Sequence, residues 1–123
     1  MSEQGKLKAE ARPPTYSHIP RASEGKLRID LVPPALIEGA ARGLGSGTEK
    51  YATHDDLNFL RAYTYKDVYA SMMRHILAWY AGEELDKESG LSHLDHAASN
   101  LAMLMHYIRT NVADDDRPFR ADG

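Results

Sequence analysis

The feature that most restricts the fold is a pair of apolar segments with only a short turn between them. Apolar residues recur three or four positions apart over about residues 65–84 and again over about 91–111, which is the period of an amphipathic helix. Residues 87–90, Lys-Glu-Ser-Gly, form the turn, and a connection this short normally joins antiparallel neighbours. The sequence therefore predicts an antiparallel helix pair, with Ser92 capping the second helix.

A further helical pattern lies nearer the N-terminus. Pro34 suits the first turn of a helix, and apolar residues follow it at helical spacing. Three glycines come next: Gly43, Gly45 and Gly47. Glycines are typical of helix ends, so this helix is expected to span about residues 34–44. The alternating pattern of a strand never exceeds four residues, and the expected class is all-α, a small antiparallel helical bundle.

The two ends of the chain lack helical periodicity and limit the size of the core. Residues 1–24 are rich in Lys, Arg and Pro and are expected to form a flexible basic arm. Residues 112–123 include three consecutive Asp, at positions 114–116, and are expected to form a solvated polar tail. One helical domain remains over residues 25–111. A domain this small leaves apolar helix faces uncovered, so we expect a homo-oligomer that completes the bundle.

Composition excludes several classes of partner. A net charge of −3 gives no basic footprint, so duplex nucleic acid is not an expected partner. The chain has no Cys, so a metal ion would be held by His, carboxylate or water. It also has no apolar run near 18 residues and no signal peptide, which predicts a cytoplasmic protein that does not enter the membrane.

Side chains suited to metal and phosphate chemistry are concentrated in residues 74–100. Residues three or four apart share a helix face, so His75 would line one stripe while His93 and His96 line a stripe on the neighbouring helix. Asn100 continues the second stripe. A single histidine is usually a hydrogen-bonded structural residue, but three on facing helices indicate a functional site.

Glu83 and Asp86 are an acid pair at the end of the helix predicted over about residues 65–84. If the helix persists, both carboxylates point the same way and could share Mg²⁺ or Mn²⁺, hard ions that take oxygen ligands. Acids at a helix C-terminus oppose the helix dipole, which suggests that they have another use. The alternative is a solvated helix end, because this spacing is common in proteins.

Residues 43–50 are rich in glycine but do not form a phosphate loop. No strand precedes them and no Gly-Lys-Ser/Thr is present, so the structural context of a nucleotide fingerprint is missing. Glu49, Lys50 and Tyr51 then offer an ion ligand, a phosphate counter-charge and a ring on which a base could stack. Arg74, next to the first histidine of the cluster, offers a second positive charge.

Several pieces of the sequence together resemble one known family. They are GKLRIDLVPP from Gly25, the triplet Glu49, Lys50 and Tyr51, the pair Arg74 and His75, and G-E-x-x-D-x-E-S-G-x-x-H-L-x-H-A-x-x-N from Gly82. Over about residues 25–108 the chain is similar to the phage-associated dATP/dGTP diphosphohydrolase N-terminal domain. That family is related to MazG-like, all-α nucleotide pyrophosphohydrolases. The resemblance implies a MazG-like fold and an activity in the host cytoplasm that reshapes a phage nucleotide pool.

The resemblance also implies a reaction and roles for individual residues. The reaction is hydrolysis of a purine deoxynucleoside triphosphate, dATP or dGTP, to a monophosphate and pyrophosphate with Mg²⁺ or Mn²⁺. The expected metal ligands are Glu49, Glu83 and Asp86. The expected catalytic residues are Glu83, Asp86, His75, His93 and His96. The expected substrate-binding residues are Lys50, Tyr51, Arg74 and Asn100.

One departure from the MazG-like pattern keeps a second hypothesis open. Those enzymes pair an E-x-x-E on one helix with an E-x-x-D on the next, whereas this chain has only Glu83-x-x-Asp86. Glu38 and Glu49 are the candidates for the missing acids. The alternative is a non-catalytic nucleotide-binding protein, such as a phage sponge that sequesters a host signalling nucleotide between subunits. A purely structural helical oligomer would leave the concentration of His and acids unexplained.

Overall fold

A computed structural model describes residues 25–50 and 63–121 of the chain. The described residues form three α-helices: α1 (Pro34–Lys50), α2 (Tyr65–Tyr80) and α3 (His93–Thr110). A short 3-10 helix, Ile29–Leu31, precedes α1. Within the described residues the only strand-like pairing is an isolated antiparallel bridge between Leu85 and Ser92. The all-α class predicted from the sequence is confirmed.

Helix α3 lies between the other two helices and packs against both. Tyr65 at the start of α2 clusters with Tyr107 near the end of α3, whereas His75 later in α2 contacts His93 at the start of α3. The contacts run in opposite directions along the two helices, which confirms that α2 and α3 are antiparallel. Helix α1 runs parallel to α3 and packs on a different face of it.

The buried core of the described residues is small. Its apolar members are Tyr65, Val68, Ala97 and Tyr107. Three of these cluster where α2 begins and α3 ends, and Met103, Leu104 and Ala113 pack against them. Many larger apolar side chains on all three helices stay exposed. None of the described helices is long and apolar enough to cross a bilayer.

The prediction that the glycines end α1 near residue 44 was wrong, because α1 continues to Lys50. Gly43 is buried against α3, and a Cβ there would lie 2.5 Å from Ser99 Oγ and 2.6 Å from the Asp95 carbonyl oxygen. A side chain at Gly39 would lie 2.8 Å from Asp95 Oδ1. These glycines therefore allow two helices to approach closely. Arg42, between them, donates to Asp95 at 2.8 Å and reinforces the contact.

The predicted end of α2 near residue 84 was also wrong, because the helix ends at Tyr80. Gly82 has a φ of 99°, a left-handed conformation that glycine adopts without strain and that turns the chain out of the helix. Glu83 and Asp86 therefore lie in a loop and are not aligned by a continued helix. The predicted cap of α3 is confirmed, since Ser92 Oγ accepts from Leu94 N at 3.1 Å.

The tail folds back along α2 over the residues described. Asp116 Oδ1 accepts a hydrogen bond from Lys66 N at the start of α2, at 3.3 Å. The Arg117 guanidinium lies 5.9 Å from the centre of the Tyr65 ring and also pairs with Asp115. Hydrogen bonds from the Arg117 guanidinium and N–H hold the pKa of Asp115 far below its usual value. Two acids of the tail thus have partners, where full solvation was expected.

Candidate functional site

The loop between α2 and α3 gathers polar side chains around the start of α3. Its path is fixed by backbone hydrogen bonds, from Asp86 N to the Leu91 carbonyl at 2.8 Å and from His93 N to the Glu84 carbonyl at 3.1 Å. The chain reverses at Gly90, which has a φ of 76°. The cluster formed in this way, called the histidine–carboxylate cluster below, consists of His75, Glu83, Asp86, His93 and His96. All five were predicted from the sequence as site residues.

The His75 ring contacts the rings of both His93 and His96. His75 Nδ1 lies 2.9 Å from His93 Nδ1. The His75 and His96 rings stack, with centroids 4.5 Å apart and planes 17° apart. An imidazole nitrogen carries either a proton or a lone pair, so two of them at 2.9 Å must share one proton or face one cation.

The two carboxylates contact different histidines. Glu83 Oε1 lies 3.2 Å from His93 Nε2, and Asp86 Oδ2 lies 3.6 Å from His96 Nε2. His93 is only 4% exposed. Its contact with Glu83 is close enough for a hydrogen bond but misaligned, so Nε2 lacks a hydrogen-bond partner among the described residues. A buried polar atom without a partner is costly, and it marks His93 as a residue held for a purpose.

Electrostatics set the protonation of the two central groups. Burial lowers the pKa of His75, and the neighbouring His96 and His93 lower this pKa further. The Asp86 carboxylate acts in the opposite direction and raises it. Burial alone would raise the pKa of Asp86, but hydrogen bonds from the hydroxyl and the N–H of Ser89 outweigh it and lower that pKa. At neutral pH His75 is therefore uncharged, with a lone pair to donate, and Asp86 is an anion.

The cluster contains a donor set that fits a divalent metal ion. His75, Asp86 and His93 each offer one ligand atom, and these atoms lie within 4.8 Å of one another. Imidazole nitrogen combined with carboxylate oxygen is a common ligand set for divalent transition metals. His93 is buried and its Nδ1 faces His75 Nδ1, so an ion between the two rings would meet both nitrogens.

Comparison with known proteins places this cluster in a family context. Residues 17–117 match the family model described as dATP/dGTP diphosphohydrolase, N-terminal. The chain belongs to this family. A curated relative from Salmonella phage PMBT28, named dATP/dGTP diphosphohydrolase, is 31% identical over 100 residues, which are 80% of this chain. The chain spans about a third of that relative's length, since the match covers 32% of it. No solved structure matches the chain.

The other predicted residues of this dATP/dGTP diphosphohydrolase N-terminal domain lie at varying distances from the cluster. Arg74 is exposed beside His75 and contributes to lowering its pKa. Asn100 is half-buried on α3, one turn after His96. Glu38, a candidate for the missing acids, lies on α1, where it acts electrostatically on Arg42. Tyr51 and the side chains of Glu49 and Lys50 lie outside the part of the chain that the structure describes.

Ser89 is a member of the site that sequence reasoning missed. Its hydroxyl donates to Asp86 Oδ2 at 2.9 Å and lies 2.6 Å from His96 Nε2, and its N–H donates to the same oxygen of Asp86 at 3.0 Å. Ser89 therefore joins a carboxylate of the loop to a histidine of α3. The spacing Asp-x-x-Ser in a polar loop was a usable signal, because an Asp side chain often accepts from the backbone of residues that follow it.

Proposed function

We propose that this chain hydrolyses a purine deoxynucleoside triphosphate, dATP or dGTP, to a monophosphate and pyrophosphate. The observation that carries the proposal is the histidine–carboxylate cluster, formed by residues of the motif that begins at Gly82 together with His75. Membership of the family supports nucleotide hydrolysis, and the curated relative named dATP/dGTP diphosphohydrolase supports the substrate class.

A divalent ion, Mg²⁺ or Mn²⁺, belongs to this proposal. When bound, such an ion would neutralise charge on the transferring phosphoryl group and orient the attacking water. The residues that fit it within the described part of the chain are His75, Asp86 and His93. Glu49 remains a predicted further ligand.

The remaining side chains act on protons and phosphate charge. His96 Nε2 and the Ser89 hydroxyl, 2.6 Å apart, can pass a proton between them beside the carboxylate of Asp86. Arg74, exposed next to the cluster, and Lys50 are assigned to the triphosphate, because positive charge stabilises the transition state of phosphoryl transfer. Tyr51 and Asn100 are assigned to the nucleoside.

A nucleotide-binding sponge without catalysis is the second candidate. The arrangement of the two acids favours this candidate. Glu83 and Asp86 lie in a loop instead of on one helix face, and they contact different histidines. The chain also lacks the E-x-x-E of MazG-like enzymes. In this candidate the same cluster binds phosphate groups and leaves them intact.

A nucleotide panel separates the two candidates. Purified protein is incubated with each ribo- and deoxynucleoside triphosphate and with Mg²⁺ or Mn²⁺, and the products are identified by mass spectrometry. We expect a monophosphate and pyrophosphate from dATP or dGTP, loss of most turnover in Asp86→Asn, and normal turnover in Glu84→Gln, an exposed acid of the same loop. Tight binding with release of intact nucleotide under every metal would replace the hydrolase with the sponge.

A further inference from the structure

We propose that the histidine–carboxylate cluster binds one transition-metal ion through His75, His93 and Asp86, and that Glu83 is not a ligand but the acceptor that orients His93. The inference rests on the proposed function for what the ion does, and adds which atoms hold it and which class of ion they select. It also changes the role of Glu83, which the sequence predicted to be a metal ligand.

The position of Glu83 fixes which nitrogen of His93 carries a proton. Glu83 Oε1 lies 3.2 Å from the buried His93 Nε2, within hydrogen-bonding distance although misaligned. A carboxylate only accepts hydrogen bonds, so it favours the tautomer with the proton on Nε2. Metal-binding histidines commonly donate their second N–H to a carboxylate in this way. The lone pair of His93 is then on Nδ1, the atom that faces His75.

The spacing of the two Nδ1 atoms suits a shared ion. Nitrogens that each lie about 2.1 Å from one ion are roughly 3.0–3.4 Å apart. The observed separation of 2.9 Å between His75 and His93 needs an adjustment of only a few tenths of an ångström. Without an ion the same contact is an N–H···N hydrogen bond, so binding replaces a proton between two rings that are already in place.

Asp86 completes the set as a pre-oriented anion. The hydroxyl and the N–H of Ser89 both hold Asp86 Oδ2, which restricts rotation of the carboxylate. Asp86 is only partly exposed, and its ligand atom lies within 4.8 Å of those of both histidines. Three ligands from protein leave room for water or a phosphate oxygen, as in catalytic sites.

This donor set selects the class of ion. Mg²⁺ prefers oxygen ligands and keeps several waters. Imidazole binds Co²⁺ and Zn²⁺ more strongly than Mn²⁺, and it binds all three of these ions more strongly than Mg²⁺. A site with two imidazoles and one carboxylate is therefore expected to bind Mn²⁺, Co²⁺ or Zn²⁺ in preference to Mg²⁺, so of the two ions proposed for the hydrolysis Mn²⁺ is the one that this site favours.

Metal binding to the intact chain tests the proposal without measuring catalysis. Calorimetry with Mn²⁺ and the visible absorption of bound Co²⁺ should show one ion per chain, and excess Mg²⁺ should not displace it. Asp86→Asn, His75→Gln and His93→Gln should each weaken binding by more than about 100-fold, and Glu83→Gln by about 10–100-fold, the usual effect of losing a group that orients a ligand.

Glu84→Gln is the matched control. It removes the same charge one residue away, and Glu84 contacts His93 through its backbone carbonyl. We expect unchanged affinity. Circular dichroism checks folding, since His93 is buried, and the half-buried His75 provides the decisive variant if His93→Gln unfolds.

Three results would overturn the inference: equal loss in Glu83→Gln and Asp86→Asn, wild-type affinity in the histidine variants, or displacement by Mg²⁺. The proposed function fails separately. If the ion binds as described but no nucleotide is cleaved, the metal site stands and the hydrolase is rejected. If nucleotide is cleaved while His75→Gln binds metal normally, the hydrolase stands and this site is rejected.

Discussion

At the scale of single residues, Ser89 has one proton and two neighbours that could accept it. The Asp86 carboxylate can only accept, so the Ser89 hydroxyl donates to Asp86 and accepts from His96, which must then carry its proton on Nε2. One small side chain thus orients the carboxylate and sets the tautomer of the histidine. The sequence did not indicate this role, because it depends on how the loop meets α3.

Replacing Ser89 tests this role. Ser89→Ala removes a hydrogen bond to a charged group, typically about 1.5–3 kcal/mol, so we expect kcat to fall by about 10–100-fold with little change in KM. Ser89→Thr keeps the hydroxyl and should retain most of the activity. Steady-state kinetics on dATP and dGTP, with thermal melts of each variant, provide the measurement. Equal losses in both variants would mean that Ser89 serves only to shape the loop.

The lowered pKa of His75 predicts a pH dependence of stability. Because the folded-state pKa lies below the usual value of 6.5, the unfolded chain binds the proton more readily as pH falls. The contribution of neutral His75 is complete above about pH 6.5 and is lost as pH decreases through the folded-state pKa. In urea denaturation with a chelator present, wild type should lose more stability from pH 7 to 5 than His75→Gln. Parallel curves for the two proteins would contradict this.

At the scale of elements, the sequence predicted which segments are helical but misplaced two of their ends. Helical periodicity identified α1, α2 and α3 because each has an apolar face. The glycines of α1 were misread because small residues serve both helix ends and close helix contacts, and only the position of α3 distinguishes these uses. The cluster itself was predicted in its residues but not in its geometry, since the contacts follow from the backbone path of the loop.

A matched pair of glycines tests the close contact between α1 and α3. A Cβ at Gly43 would meet Ser99 Oγ and the Asp95 backbone at 2.5–2.6 Å, whereas one at Gly45 would meet nothing within 4 Å. Gly43→Ala should therefore lower the free energy of unfolding by about 1–3 kcal/mol through overpacking. Gly45→Ala should raise it by up to about 1 kcal/mol, because alanine favours a helix. Chemical denaturation measures both, and equal effects would show that the helices do not approach as described.

At the scale of the whole molecule, the main physical problem is the small core that the described residues form. Within the described residues no Cα of α1 lies within 8 Å of a Cα of α2, and both helices pack against α3. An exposed apolar stripe runs along α3, because exposed apolar residues recur there at spacings of seven, four and three, which keep them on one helix face. Its members are Leu94, Leu101, Met105 and Ile108. A core this limited rarely stabilises a domain without further burial.

Association with a second copy is the burial that we predict for this stripe. Met105→Glu places a charge on a side chain that is 65% exposed, so it should leave the fold of one chain intact while opposing assembly. Leu77→Glu makes the same kind of change on α2, at a side chain that is 62% exposed, and should not alter assembly. Light scattering and sedimentation should give wild type and Leu77→Glu a multiple of 13.7 kDa, and Met105→Glu a smaller mass. If the wild type is a stable monomer, the prediction of self-association is wrong. Contacts within one chain would then have to stabilise the fold.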